Sequence, residues 1–278
     1  MEIYLDNSAT TKCFDEVAQV VAHMMTVDYG NPSSMHMKGV QAEQYIKQAT
    51  EVIAKTLKVN EKEIFYTSGG TESDNMAIIG TAMANYRAGK HIVTTPMEHP
   101  AVGQCMKYLE KEGFEITYLQ PDSAGCINPD DLEKSVRKDT ILVSIMAVNN
   151  EIGSIQEIDE ISKIVHTNAK CKLHVDAVQG IGKVDLNTKN IDMMTITSHK
   201  LYGIKGCGVL MRKRNIELMP LVNGGQQEFG IRGGTLDAPV CILFAKTLRL
   251  ALEEKEEEMN ISALSQKKEK ASEENIPK

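Results

Sequence analysis

Between residues 64 and 212 the chain alternates short runs rich in β-branched and aromatic residues with longer stretches whose apolar residues recur at helical spacing. Such alternation is typical of crossover units, in which a helix connects two parallel strands and packs on the sheet. It predicts an α/β fold with a mostly parallel sheet of about seven strands and helices on both faces. The predicted strands are IFYT (64–67), HIVTT (91–95), EITYL (115–119), TILVSIMAV (140–148), KLHVDAV (172–178), MMTIT (193–197) and CGVLMR (207–212).

The composition excludes several classes of function. Of the 278 residues, 42% are hydrophobic and 25% are charged, which is the usual balance of a globular domain. No run approaches the roughly 18 apolar residues of a membrane helix, and the first residues, MEIYLDNSATT, lack the basic and apolar regions of a signal peptide. The net charge of −7 argues against a nucleic-acid surface. We therefore predict a cytoplasmic protein that binds neither membrane nor nucleic acid.

The cysteines show no pattern that suits a metal. Six are spread along the chain, with no CxxC pair and no His/Cys spacing that fits zinc. In a cytoplasmic setting they are expected to be reduced thiols, most of them packed in the core. The sequence therefore predicts no metal site.

Polar motifs follow the predicted strands where an open α/β sheet binds its ligand, beyond the carboxyl ends of the strands. Five of these ends carry the segments TSGGTESDN, PMEHPAV, VNNEIG, DAVQ and SHK. The first segment suits a phosphate, because a strand-to-helix turn offers free backbone amides and the positive end of a helix. Gly69 and Gly70 allow close approach, and Thr71 adds a hydroxyl. A purely structural glycine turn is the alternative.

Three further strand-end residues match other parts of one cofactor. Asp176 ends an apolar strand, where a carboxylate needs a positive partner, either a protonated ring nitrogen or an Arg or Lys of the protein. His99 either stacks on a flat ring or caps the following helix. Lys200, behind His199, is either a solvated strand cap or, if partly desolvated, an amine nucleophile. Phosphate cradle, buried carboxylate, ring neighbour and amine together describe a site for pyridoxal 5′-phosphate.

These motifs resemble those of the cysteine desulfurases of the class-V pyridoxal-phosphate aminotransferase superfamily, the type that feeds iron–sulfur cluster assembly. The resemblance covers about residues 3–252 in the family's order and spacing. It implies the type I fold of pyridoxal-phosphate transferases, of which this chain would form the large domain. It rests on the segments YLDNSATT, YGNPSSMH, FYTSGGTESDN, EHPAV, VNNEIG, HVDAVQ, SHKLYGIKG and GGQQEFGIRGGT.

The resemblance implies a role for each candidate site residue. Lys200 would form the imine with the cofactor, Asp176 would contact the pyridine nitrogen, and His99 would stack on the ring and help to move protons. Gln179 would hydrogen-bond the phenolic oxygen, with Asn150 nearby. The remaining candidates are the phosphate ligands Gly70, Thr71, Thr197 and His199, then Thr235 as a contact to the phosphate of a neighbouring subunit, and Asn31 and Arg232 on the substrate side.

The resemblance also implies a reaction and partners. The expected activity removes sulfur from L-cysteine and leaves L-alanine and an enzyme persulfide for iron–sulfur cluster assembly. The role of Thr235 implies a homodimer with shared sites, and an iron–sulfur scaffold protein is an expected partner. Two alternatives stay open: a selenocysteine lyase or other class-V enzyme, and an inactive cofactor-binding remnant that serves as a dimer partner or scaffold.

The predicted domain organisation has two parts. Residues 1–252 form the cofactor-binding large domain, with 1–14 as an N-terminal segment, and residues 253–278 form a charged, disordered tail in which apolar periodicity stops. In the family a small C-terminal domain follows and carries the persulfide cysteine on a mobile loop. We expect that domain to be absent from this chain or separately encoded. The six cysteines, which we do not assign to that loop, are at 13, 105, 126, 171, 207 and 241.

Overall fold

One mixed sheet forms the centre of the fold in the computed structural model, which describes residues 3–255. Its strands are β1 (Ile64–Thr67), β2 (His91–Thr94), β3 (Glu115–Tyr118), β4 (Thr140–Met146), β5 (Lys172–Asp176), β6 (Met193–Thr197) and β7 (Gly208–Arg212). Within these residues the seven strands have the order β1-β7-β6-β5-β4-β2-β3. Strand β7 is antiparallel to both β1 and β6, and every other neighbouring pair is parallel. The predicted α/β fold with a mostly parallel sheet is confirmed.

Helices cover both faces of the sheet. They are α1 (Asp15–Thr26), α2 (Met37–Leu57), α3 (Gly70–Asn85), α4 (Pro100–Lys111), α5 (Pro129–Ser135), α6 (Ile158–Val165) and α7 (residues 238–255). Helices α3 and α4 pack on one face, and the other helices pack on the opposite face. No helix in the described part of the chain is long and apolar enough to cross a membrane.

Alternate residues of each strand enter two separate hydrophobic cores, because side chains of a strand point to opposite faces. Phe65, Ile92 and Leu210 are buried against α3 and α4. Tyr66 and Val175 are buried in the larger core on the other face. Strands covered on both sides need apolar residues at nearly every position, which explains the continuous apolar runs in the sequence.

The N-terminal segment lies against the end of β6. Before α1 begins, the backbone amide of Thr11 donates to the carbonyl of His199 at 2.9 Å, and the amide of Phe14 donates to the carbonyl of Tyr202 at 2.9 Å. The rings of Phe14 and Tyr202 have their centroids 5.0 Å apart. These contacts bring the residues just before Thr11 to the edge of the sheet where β6 ends.

The predicted boundary between the large domain and the charged tail, at residue 253, stays a prediction. Helix α7 continues through residue 255. Arg249 and Glu253 form an ion pair with an N–O distance of 2.7 Å, and Lys255 pairs with Asp185 at 2.6 Å. Ion pairs of this kind let a helix continue past its last apolar turn. The rest of the predicted tail lies outside the described residues.

Candidate active site

A cavity of about 450 Å³ opens at the carboxyl ends of the parallel strands. This volume is within the usual range of small-ligand sites. Its lining includes Ser8 and Ala9 of the N-terminal segment. Nine of the candidates from the sequence also line it: Gly70, Thr71, His99, Asn150, Asp176, Gln179, Thr197, His199 and Lys200.

One end of the cavity is formed by the turn from β1 into α3. Gly69 precedes the helix with φ 150° and ψ −176°, a backbone conformation that is essentially restricted to glycine. A Cβ atom on Gly70 would lie 3.2 Å from Cγ2 of Val178, so the helix begins in close contact with the neighbouring wall. Gly69 has no side chain, so no side chain of the N-cap residue accepts a hydrogen bond from the first amides of α3. The turn therefore presents the positive end of a 16-residue helix to the cavity.

Two side chains from the end of β6 complete this part of the wall. The hydroxyl of Thr197 is buried and donates to the carbonyl of Cys207 at 3.1 Å, so its hydrogen is directed away from the cavity. The ring nitrogen Nδ1 of His199 lies 3.2 Å from the hydroxyl of Thr10. Burial lowers the pKa of His199, and the charges of Lys200 and Lys205 lower it further, which favours the neutral imidazole.

The carboxylate of Asp176 is buried at the end of β5. Its Oδ1 accepts a hydrogen bond from the backbone amide of Val178 at 3.0 Å. Burial raises the pKa of Asp176, whereas the Val178 amide, His99 and Lys200 act to lower it. A carboxylate that is 5% exposed and lines a cavity provides a strong site for a cationic group of a ligand.

Lys200 lies just after β6, in a short 3-10 turn over Ser198–Lys200. Its Nζ donates to the carbonyl oxygens of Ser8 and Ala9, the latter at 2.7 Å. Burial lowers the pKa of Lys200, while Asp6 and Asp176 act to raise it. Partial desolvation shifts the amine toward the neutral form that a nucleophile requires.

His99 both caps a helix and lines the cavity. Its Nδ1 accepts a hydrogen bond from the amide of Ala101 at 3.2 Å, which satisfies a free donor at the start of α4. Because Nδ1 is the acceptor, the ring hydrogen of the neutral imidazole is on Nε2. The capping alternative from the sequence is therefore observed, and it leaves the Nε2–H group available as a donor.

The Gln179 amide is fixed at both ends. Its Nε2 donates to the carbonyl of Ser8 at 2.8 Å, and its Oε1 accepts from Nζ of Lys183 at 2.6 Å. Asn150, in the segment after β4, is half-buried and lines the same cavity.

Three candidates from the sequence do not line this cavity. Asn31 is exposed, and its Oδ1 accepts from the amide of Ser33 at 2.9 Å. Arg232 directs its guanidinium to Glu72 of α3, with Nε 2.8 Å from Oε1. Thr235 is exposed just before α7. Its predicted contact is with a neighbouring subunit and stays a prediction.

Two buried carboxyl groups beside the site were missed in the sequence. Asp74 lies one helical turn after Gly70 and lines the cavity, and its Oδ1 is buried without a hydrogen-bond partner. Burial and the charge of Asp176 raise its pKa well above the usual range. The i, i+4 spacing from Gly70 was the available signal. Glu98 accepts two hydrogen bonds at Oε1, one from the Met146 amide at 3.1 Å and one from the Thr95 hydroxyl at 2.9 Å, and only the tertiary fold creates the contact with Met146.

All six cysteines lie in the described residues as free thiols, and none lines the cavity. Burial raises the pKa of Cys105 and of Cys171 to about 12. It also raises the pKa of Cys207 and Cys241 well above the usual value. Thiols in this state are poor nucleophiles, because the thiolate is the reactive form. Among residues 3–255, no cluster of three or more His, Cys, Asp or Glu side chains is arranged to hold a metal ion.

Comparison with known protein families decides where this chain belongs. The family description aminotransferase class-V matches residues 3–277. The chain belongs to the class-V aminotransferase family. The resemblance to cysteine desulfurases seen in the motifs is confirmed.

The relatives and solved structures that this chain is similar to include named cysteine desulfurases. It is 45% identical to cysteine desulfurase IscS from Methanosarcina thermophila over 257 residues. The matched region covers 92% of this chain and 63% of that relative. A NifS-like protein of known structure superposes with a TM-score of 0.90 at 40% identity, over 92% of this chain and 71% of that one. The structure of SspA in complex with cysteine has a TM-score of 0.85 at 36% identity, over 89% and 72% of the two chains. The chain thus spans about two thirds of the length of these proteins.

Class-V aminotransferases and cysteine desulfurases depend on pyridoxal 5′-phosphate, and the cavity residues fit this cofactor. The buried carboxylate of Asp176 suits a protonated pyridine nitrogen, and the N-terminus of α3 suits the phosphate. The amine of Lys200 is at the same cavity, so it can meet the aldehyde carbon. The three groups are of the kinds that this cofactor needs at its nitrogen, phosphate and aldehyde.

Proposed function

We propose that this chain is a pyridoxal-phosphate-dependent transferase of the cysteine desulfurase type that acts on L-cysteine. In the proposed reaction the carbon–sulfur bond of cysteine breaks, the sulfur passes to a thiol as a persulfide, and a proton takes its place on carbon to give L-alanine. The observation that carries the proposal is the meeting of an amine, a buried carboxylate and a helix N-terminus around one cavity. The relative named cysteine desulfurase and the SspA structure with cysteine support the choice of substrate.

The binding tasks are divided among three parts of the wall. Asp176 keeps a proton on the ring nitrogen, because its carboxylate is stabilised by a cationic neighbour. The first amides of α3 and the hydroxyl of Thr71 hold the phosphate, and His199 closes that end. When bound, the cofactor supplies an aldehyde for the amine and a ring that withdraws negative charge from the substrate.

Proton movement falls to Lys200 and His99. Partial burial favours loss of the proton from the Lys200 amine, which would suit Nζ to meet the aldehyde of the cofactor and to carry protons in the cavity. His99 holds a proton at Nε2, because its Nδ1 is engaged by the Ala101 amide. That arrangement fixes one tautomer and makes Nε2–H the group that can donate within the cavity.

The proposal extends to assembly and location. The exposed position of Thr235 before α7 is compatible with contact to the phosphate of a second subunit, as expected for a homodimer with shared sites. None of the six cysteines lines the cavity, so the sulfur-accepting thiol is expected to be one that reaches the cavity from elsewhere. An iron–sulfur scaffold protein and a cytoplasmic location stay predictions.

An absorbance titration with pyridoxal phosphate and an assay of alanine release test the proposal together. The wild-type protein is compared with Lys200→Ala, with cysteine or selenocysteine as substrate and a small thiol as sulfur acceptor. We expect a visible band that depends on Lys200, and alanine release from cysteine. Release from selenocysteine alone would favour the lyase alternative. A normal band without any release would identify a cofactor-binding protein without turnover.

A further inference from the structure

Lys183 is a residue that the sequence motifs did not single out, and its ammonium contacts a wall residue of the cavity. It follows Gln179 by four residues in a pair of helical turns after β5, where the amide of Ile181 donates to the carbonyl of Ala177 at 2.9 Å. Residues four apart in such turns lie on the same side. The Lys183 ammonium is 2.6 Å from Oε1 of Gln179.

The two contacts of the Gln179 amide leave it only one orientation. A lysine ammonium can only donate, so the atom that Lys183 contacts has to be the amide oxygen. A backbone carbonyl can only accept, so the atom 2.8 Å from Ser8 O has to be the amide nitrogen. The nitrogen carries two hydrogens, and Ser8 accepts one of them. The second N–H is the part of the amide that is left for an acceptor in the cavity.

Ser8 alone is a weak support for this orientation. Its carbonyl also accepts from Lys200, and residues 3–9 of the N-terminal segment are exposed. Lys200 has to leave that carbonyl when it reacts. Lys183 is attached instead to the turn that follows β5, and it holds the oxygen of Gln179 whatever Lys200 does.

We propose that Lys183 is a positioning residue that holds the amide oxygen of Gln179 and thereby turns the amide N–H toward the phenolic oxygen of the cofactor. The inference rests on the proposed function, because it needs a cofactor with that oxygen in the cavity. An N–H donor stabilises the anionic form of a phenolic oxygen. Lys183 would thus act on the charge of the cofactor without touching it.

Lys183 also has a second effect, which its charge exerts on Lys200. This effect also favours loss of a proton in the cavity, so it must be separated from the effect through Gln179. Desolvation lowers the pKa of Lys183, and the charge of Lys200 lowers it further, so the two ammonium groups interact. A cation near Lys200 favours loss of its proton even if Gln179 plays no part. A variant that only removes the charge of Lys183 cannot distinguish the two effects.

A double-variant cycle makes that distinction. Lys183→Met, Gln179→Leu and the combination of the two are compared with the wild-type protein, and Lys107→Met on α4 serves as a control for loss of an exposed lysine. The measurements are the affinity for pyridoxal phosphate and the pH midpoint of the visible absorbance change. We expect Lys183→Met to weaken affinity by about 2- to 10-fold and to raise the midpoint by about half a unit to one unit, the range for loss of one hydrogen bond.

The outcomes separate the proposals. Positioning through Gln179 predicts that Lys183→Met has little further effect in the Gln179→Leu protein, and that Lys183→Arg restores wild-type behaviour. An equal shift in both backgrounds would assign the effect to charge alone and overturn the inference, as would a Lys183→Met protein that behaves like Lys107→Met. Absence of a Lys200-dependent band in the wild-type protein would instead overturn the proposed function.

Discussion

Gly208 lies where the sheet supports the turn that begins α3, and replacing it with alanine tests whether that turn forms the phosphate site. A Cβ atom on Gly208 would lie 2.7 Å from both Cα and the carbonyl carbon of Gly69, and 2.8 Å from Oγ1 of Thr67. The two backbone contacts fall about 0.7 Å short of the 3.4 Å at which ordinary contact begins. Because the obstacle is backbone, the Gly69–Gly70 turn itself has to move.

The size of the effect follows from that displacement. Overpacking of this kind costs about 1–3 kcal/mol of folding free energy, which lowers the melting temperature of a domain of this size by about 2–10 °C. The first amides of α3 move with the turn. Loss of well-aligned hydrogen bonds to a charged acceptor costs about 1.5–3 kcal/mol, so affinity for pyridoxal phosphate should fall about 10- to 100-fold.

The assay is a titration of cofactor-free protein with pyridoxal phosphate, at a temperature well below the melting point of each variant. The matched control is Gly103→Ala within α4, where a Cβ atom would meet nothing within 4 Å. That variant should gain up to about 1 kcal/mol of stability, because alanine is the better helix former, and it should bind the cofactor normally. A folded Gly208→Ala protein with wild-type affinity would refute the assignment of the turn as the phosphate site.

Three further predictions concern buried or paired charges, and urea unfolding measures each. Burial raises the pKa of Glu98 to about 8. The free energy of unfolding of the wild-type protein should therefore fall as pH rises from about 4 to about 8. Glu98→Gln should abolish the part of this pH dependence that comes from Glu98. Burial lowers the pKa of His174 to about 3. The contribution of the neutral imidazole to stability is therefore complete above about pH 6.5 and is lost as pH falls toward 3. The His174→Gln protein should not show this loss of stability. Glu72→Gln should lower the free energy of unfolding by about 1–2 kcal/mol, because it breaks the partly buried ion pair with Arg232. An unchanged free energy of unfolding would mean that this pair contributes no more than an exposed ion pair.

The strands and their order along the chain were predictable because each is a short apolar run between polar turns. Every predicted run from IFYT to CGVLMR contains a strand of the sheet. Which strand pairs with which was not predictable, since periodicity carries no information on long-range order.

The candidate site was predictable where its residues directly follow a strand. Asp176 and Lys200 were found in this way, and the structure brings both to one cavity. The end of a strand fixes where such a residue lies, because parallel strands share one carboxyl edge. Arg232 follows no strand of the sheet, and its partner proved to be Glu72 of α3. The sequence offered no signal for that pairing.

The sequence by itself determined the α/β class, the family and the chemical types gathered for the cofactor, because strand periodicity and the ordered motifs are local properties. Only the tertiary structure decided the protonation and orientation of those groups. Asp74 is raised in pKa by its burial near Asp176, and the Gln179 amide is oriented by Ser8 and Lys183. Burial and the direction of a hydrogen bond depend on residues that are distant in the chain and adjacent in the fold, and such contacts exist only after the sheet has assembled.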